Sequence, residues 1–288
     1  MYGDLREKLA RAVPELTVRS FSYLGEGEDN VAFEVNGGLI VRFTKRDEEA
    51  VEREAAILDF VRAVSPLPTP VLRYSRPDSG FLAYEKLPGL PMIKSARRVD
   101  LAQWPDLAAQ LGGFLSIVNN ADIEPIRSHL LTDADSLESW RADTRADFTQ
   151  VEHLIPRPYR ASVESFLDLP APDGQFEPTF THNDLGIEHI LIDPAARQIT
   201  GIIDWGDTAL ADPAYDFGKI YRDLGPDVFQ AALRAYSARP DAGLTARAVF
   251  YARCGVVEDL VYGVERESGE YVEKCLAALP WLFDAIEG

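Results

Sequence analysis

The chain has 288 residues, of which 46% are hydrophobic and 26% charged, and a formal net charge of −18. That is the composition of a globular protein with room for two lobes. The acidity excludes a nucleic-acid binder, which needs a basic footprint, and no apolar run approaches the roughly 18 residues of a membrane-spanning helix. The charged start, Met1 to Lys8, has no signal-peptide core, and the two cysteines, Cys254 and Cys275, read as reduced packing residues. A cytoplasmic protein with no membrane partner is expected. The charge balance suits a cationic small-molecule partner and, equally, plain solubility.

The first 90 residues read as strands around one main helix. Leu24-Gly25-Glu26-Gly27-Glu28-Asp29-Asn30 is a glycine-containing turn that can fold over phosphates, although its acids suit a polyanion only if they face outward. Val31–Val35 and Leu39–Phe43 flank Asn36-Gly37-Gly38, a hairpin signal. A helix is expected over Asp47 to Val64, its apolar stripe carried by Val51, Ala55, Leu58 and Val61. Glu54 lies beside that stripe and Arg42 in mid-strand. Either the two pair and Arg42 is aimed at phosphates, or both are half-exposed and Arg42 snorkels to water. Phe81–Tyr84 reads as a strand, and Glu85-Lys86-Leu87-Pro88-Gly89 as a connector, dividing the chain into 1–86 and 87–288. Beyond it, helix-compatible patterns cover 101–119, 136–147, 158–169, 226–238, 244–265 and 270–286.

His182-Asn183-Asp184 through Asp193 and Gly201-Ile202-Ile203-Asp204-Trp205-Gly206 interrupt that helical half. Two short apolar runs, Ile190–Ile192 and Ile199–Ile203, are separated by a turn-like Asp193–Gln198. An antiparallel hairpin centred between Ala196 and Arg197 sets His189 opposite Asp204, with Cα atoms about 4.5–5.5 Å apart. Side by side, these two suit a Mg²⁺ that keeps its other positions for phosphate and water. Asp184, on the entering loop, is the candidate catalytic residue that orients or deprotonates a hydroxyl. The alternative is an ordinary hairpin with solvated acids, which the full spacing disfavours. There is no Walker-type run and no zinc-spaced Cys/His cluster.

These motifs resemble the aminoglycoside phosphotransferase family over nearly the whole chain. Gly25–Phe33 is similar to its nucleotide loop, His182–Asp193 to its catalytic loop and Gly201–Asp207 to its metal-binding segment. The variants here, with His-Asn-Asp opening the loop, His189 as second metal ligand and Val256–Val264 near the end, look closest to the aminoglycoside 2″-phosphotransferases. The resemblance implies an α+β, bilobal protein-kinase-like fold, with an N-terminal antiparallel sheet lobe and a larger helical lobe. It also implies an enzyme moving the γ-phosphoryl of ATP or GTP, with Mg²⁺, to a hydroxyl of an aminoglycoside. By position, it makes Asp184 catalytic, His189 and Asp204 metal ligands, and Arg42 the phosphate-binding cation oriented by Glu54. Gly25, Gly27 and Asn30 fall in the nucleotide loop, and the backbone of Glu85 to Leu87 meets the base. Asp216 either braces the catalytic loop or caps a helix beside Pro213.

Two departures stand out. Arg42 replaces the family's Lys, which keeps a permanent cation. Arg222, in Lys219-Ile220-Tyr221-Arg222-Asp223, falls where an acid should meet a polyamine sugar, leaving Asp223 and Asp227 nearby. Glu258, Asp259 and Glu265 form either an acidic wall for the substrate or the solvated face of a helix. A kinase of another antibiotic or metabolite alcohol, and a non-catalytic nucleotide-binding module, are the rival readings.

Overall fold

The structure is a computed structural model that describes residues 3–27, 29–95, 105–133, 135–237 and 241–285. Gly3–Ala12 (α1) precedes the strands Phe21–Glu26 (β1), Asn30–Val35 (β2) and Leu39–Thr44 (β3). Then come Glu48–Val64 (α2), Leu72–Arg76 (β4) and Phe81–Glu85 (β5). The five strands form one antiparallel sheet in the order β1-β2-β3-β5-β4.

Strand alternation decides what each face holds. Val41 and Phe43 pack with Phe33, Phe81, Leu9 and Val13 under α1, a helix not expected from the sequence. Arg42, between them, takes the other face, paired in register with Leu82. Val51, Ile57, Leu58 and Val61 of α2 and Leu82 and Tyr84 of β5 join the core of the larger, helical part. The helix starts where Asp47 accepts the Ala50 N–H at 2.9 Å, an N-cap one residue before Glu48.

The remainder holds Leu90–Pro91 (β6), Pro105–Asn119 (α3), Leu131–Thr132 (β7), Leu137–Val151 (α4), Arg157–Asp168 (α5) and Thr179–Thr181 (β8). Ile190–Asp193 (β9), Gln198–Ile202 (β10) and Ala209–Ala211 (β11) follow, then the helices Ala214–Ala235 (α6), Leu244–Glu265 (α7) and Gly269–Leu282 (α8). Two three-stranded sheets, β10-β9-β6 and β7-β11-β8, sit within this helical half. Only the first of them contains the expected hairpin. Residues 101–104, 238 and 286 of the expected helices lie outside the described residues.

Ala214–Ala235 (α6) holds two helical stretches separated by a break at Gly225 (φ 79, ψ 179): the second begins at Pro226, where a helix was expected, and the first, from Ala214, was not expected. Asp216 therefore lies inside the first turn of α6, and Pro213, not Asp216, is the N-cap residue. Among the described residues no helix is long and apolar enough to cross a membrane.

Candidate active site

The β9–β10 hairpin carries a correction to the expected register. The observed pairs are Asp193 with Gln198, Ile192 with Ile199, Leu191 with Gly201 and Ile190 with Ile202. The turn explains the shift: the Asp193 carboxylate accepts the Ala195 and Ala196 N–H groups, and Arg197 takes φ 54, closing a four-residue loop. A bulge at Thr200 follows. His189 therefore faces Ile203, whose N–H it accepts at 3.0 Å, and not Asp204.

The two side chains still meet, by another route. Asp204 adopts φ 64, a left-handed conformation rare outside glycine. That bend brings Asp204 Oδ2 to 3.7 Å from His189 Nε2. Asn183 takes φ 63 in the preceding loop, and this second kink presents Asp184 to the same space. Left-handed residues of this kind persist only where the surroundings hold them.

What holds the loop is buried. The carboxylate of Asp216, fully buried, accepts the His182 N–H at 3.0 Å. Asp216 thus takes the bracing position, and burial pushes its carboxyl up to about 7 despite that hydrogen bond. The His182 ring bonds the Ile203 carbonyl oxygen at 3.0 Å and lies against Trp205, with centroids 4.6 Å apart. On the other side, Asp223 Oδ2 accepts the Ile187 N–H at 3.2 Å.

Arg42 ties sheet, helix and hairpin together. Nη1 is 2.8 Å from Glu54 Oε1, and Nη2 is 2.8 Å from Asp204 Oδ1. Of the two readings of Arg42 and Glu54, the structure shows the buried pair, with Asp204 as a third member. The fork geometry of guanidinium allows one residue to hold both acids.

Asp184 has a partner that the sequence did not reveal. Lys219 Nζ lies 2.8 Å from Asp184 Oδ1, with the lysine side chain only 8% exposed. Burial works against a charge on Asp184, yet Lys219 and then His189 outweigh it and hold its carboxyl far below the usual range. The other oxygen, Oδ2, is 3.3 Å from His189 Nδ1. The same Nδ1 is 2.8 Å from the Asp184 carbonyl oxygen and so donates its proton there. That leaves Nε2 as the atom free to bind a metal.

A cavity of about 950 Å³ opens between the sheet and this hairpin. Gly25, Gly27, Asp29 and Asn30 line one wall, and Arg42, Glu54, Asp184, His189 and Asp204 the floor. The glycine loop is closed by Gly27 N–H on the Asn30 carbonyl at 2.9 Å. Two of its acids are neutralised: Lys45 sits 2.7 Å from Glu26, and Arg46 pairs with Asp29. The connector lies outside the described lining. The Glu85 N–H bonds Val71, its carboxylate pairs with Arg73, and Leu87 packs against Gly201, where a Cβ would meet Leu87 Cδ1 at 2.5 Å.

The expected substrate acids fare unequally. Glu258 and Asp259 line the cavity. Asp223 does not; its carboxylate is 2.7 Å from Arg222 Nε and only 2% exposed. Asp227 is exposed on α6, away from the lining residues. Arg222 itself is buried, 2.9 Å from Asp259, while Lys274 bonds Glu188 and Asp259 at 2.8 Å each. Lys219 and Lys274 escaped the sequence reading. The signal for Lys219 was its i, i+3 spacing from Asp216, which is visible only once residues 214–224 are known to be helical.

The residues that could hold a cation fall in one patch. Ligand atoms of Asp184, Glu188 and His189 lie within 4.8 Å of one another. Two ligands of one octahedral Mg²⁺ at about 2.1 Å lie no more than ~4.2 Å apart, and the 3.7 Å between His189 Nε2 and Asp204 Oδ2 meets that limit.

His182 offers a pH test of this buried frame. Burial first, and His189 second, lower its pKa to about 4 from 6.5. As pH falls below 6.5 the unfolded chain takes a proton that the native one refuses, so stability drops until pH reaches about 4. Relative to a His182→Gln variant, the wild-type unfolding free energy should fall by about 3 kcal/mol across that window. Urea unfolding of both proteins at several pH values checks it; a difference independent of pH would show that His182 ionises freely in the fold.

The family model described as "Phosphotransferase enzyme family" matches residues 20–250. The structure is similar to that of the GDP and kanamycin complex of APH(2″)-IIIa, with a TM-score of 0.73 and 22% identity, covering 96% of this chain and 97% of that one. It is also similar to the apoenzyme of macrolide 2′-phosphotransferase MphH from Brachybacterium faecium, with a TM-score of 0.63 and 24% identity over 96% and 98% of the two chains. The expected kinase-like fold is thereby established. In sequence, the chain is 29% identical over 217 residues to the uncharacterized protein YcbJ of Bacillus subtilis (strain 168), a match spanning 66% of this chain and 65% of that one.

Proposed function

Because the chain belongs to the phosphotransferase enzyme family, we propose that it transfers the γ-phosphoryl of ATP or GTP, with Mg²⁺, to a hydroxyl of a small molecule. Residues 1–86 form the nucleotide-binding lobe and 87–288 the catalytic and acceptor-binding lobe. The protein works in the cytoplasm, where nucleoside triphosphates are available. One observation carries the reading: Arg42, held by Glu54, reaches Asp204, and Asp204 faces His189 beside Asp184, all on the floor of one cavity.

Each residue has a task that its surroundings explain. Arg42 presents a charged fork to the nucleotide phosphates, kept in place by Glu54. The glycine loop from Gly25 to Asn30 covers the phosphates. His189 and Asp204 would hold Mg²⁺, which would supply charge neutralisation for the phosphates. Asp184 lines up the acceptor hydroxyl through its carboxylate. With Lys219 on the other oxygen it is a weak base, so its contribution is orientation more than early proton removal. A loose phosphoryl-transfer transition state asks for little more.

Consumption of ATP and of GTP, measured with panels of aminoglycosides and other alcohols, tests the reading. Acceptor-dependent turnover supports it; tight nucleotide binding with no transfer to any acceptor points to a non-catalytic nucleotide-binding module instead. The metal assignment has its own test. Asp204→Ala should weaken the Mg²⁺ dependence of nucleotide binding by about tenfold or more, read by titrating Mg²⁺ against a fluorescent nucleotide. An unchanged titration would remove Asp204 from the metal site.

A further inference from the structure

The far side of the cavity, beyond Asp184, is built from α4, α6, α7 and α8, and its charges are already spent. Asp184 is held by Lys219 at 2.8 Å, Glu188 by Lys274 at 2.8 Å and Asp223 by Arg222 at 2.7 Å. Asp259 is held by both Arg222 and Lys274, at 2.9 and 2.8 Å. The side chains of Arg222, Lys274 and Lys219 are 1%, 5% and 8% exposed, so these cations cannot swing into water to make way for a competing amine. Glu258 differs. Its side chain lines the cavity, and among the described residues no cation forms an ion pair with it.

Between these charges stand two aromatic pairs that also line the cavity. Trp140 and Tyr215 have ring centroids 5.2 Å apart, and Tyr262 and Tyr271 are 4.8 Å apart. Lys219 lies 5.1 Å from the Tyr215 centroid and Lys274 4.5 Å from that of Tyr271. A ring that already carries an ammonium on one face offers less negative potential to a second cation. Its flat apolar surface remains available to a sugar ring.

We propose that the acceptor is a glycoside or related polyol with at most one ammonium group, its ring packed on these aromatic pairs and its single amine met by Glu258, and not a polyamine sugar. This rests on the phosphotransferase reading and names the acceptor class of that same site.

The test uses kanamycin and analogues in which its amines are replaced in turn by hydroxyls, down to one amine and to none. Binding to the full-length protein saturated with nucleoside diphosphate is measured by calorimetry. The single-amine analogue should bind about tenfold tighter than kanamycin, and Glu258→Gln should erase the gap between one amine and none. Lys274→Met, which frees Glu188 and leaves Asp259 with Arg222 alone, should shift preference toward kanamycin. If that variant does not fold, the wild-type ranking and Glu258→Gln decide alone. Kanamycin binding tightest, or no analogue binding, overturns the proposal. Transfer assays with the same compounds separate the two readings. The expected binding order without transfer defeats the phosphotransferase reading alone, whereas transfer in the reverse order defeats the acceptor class alone.

Discussion

Replacing Asp184 by alanine should lower turnover by about 10²–10⁴-fold, the usual contribution of a positioned acid–base group, while nucleotide affinity stays within a few-fold of wild type. The asymmetry follows from position. Asp184 sits on the loop entering the β9–β10 hairpin with one oxygen on Lys219 and the other near His189 Nδ1, whereas Arg42, paired with Glu54 and Asp204, is carried with the glycine loop by the five-stranded sheet. Losing the carboxylate removes the group proposed to line up the acceptor hydroxyl and takes from the buried Lys219 its ion-pair partner. Asp184→Asn keeps the shape and removes only the charge, so it separates orientation from electrostatics. Single-turnover kinetics beside nucleotide titration make the measurement. Turnover retained in both variants would take Asp184 out of the mechanism.

Replacing Arg42 by methionine should destabilise the fold by about 3–5 kcal/mol, the usual cost of removing one partner of a buried ion pair. It should also cut nucleotide affinity. Arg42 is 9% exposed and faces Glu54, itself 11% exposed, so the variant strands a carboxylate where water hardly reaches. Burial already raises the pKa of Glu54 even with Arg42 beside it. The double variant Arg42→Met/Glu54→Gln removes the orphaned charge and should recover much of the stability but none of the nucleotide affinity. Urea denaturation and nucleotide titration of the three proteins separate the structural from the binding role. A single variant as stable as wild type would mean that the pair is solvated in solution.

Local features of the candidate site were readable because they depend on short-range chemistry. The β-branched runs around Asp193 announced a hairpin, and Asn36-Gly37-Gly38 announced another. The α2 helix could be read from its apolar stripe. The meeting of Arg42 with Glu54 was one of two readings that the cost of burying either one alone allowed, and only the structure chose between them. Other elements escaped because their signals are long-range. Thr179–Thr181 and Ala209–Ala211 are three-residue strands that pair with each other, and the second also with Leu131–Thr132, across long stretches of chain. The helical stretch before Gly225 escaped because Gly225 and Pro226 mark the start of the next one. With it went Lys219, whose charge decides how Asp184 behaves.

By itself, the sequence determined the identity of the chemical groups and their order: an acid base candidate, an imidazole, a second acid and a cation with its carboxylate partner. Hydrophobic periodicity, turn chemistry and the cost of unpaired charge act over a few residues, so they can be read from the chain. Only the tertiary structure decided how those groups meet. His189 and Asp204 come together through a left-handed Asp204 after a bulge, and not through the simple register that the spacing suggested. Glu188, Asp223 and Asp259, on the far side of the cavity or behind it, are neutralised by Arg222 and Lys274 from two separate helices. Charge pairing is set by distance in space and by exclusion of water, and neither is written in the order of residues.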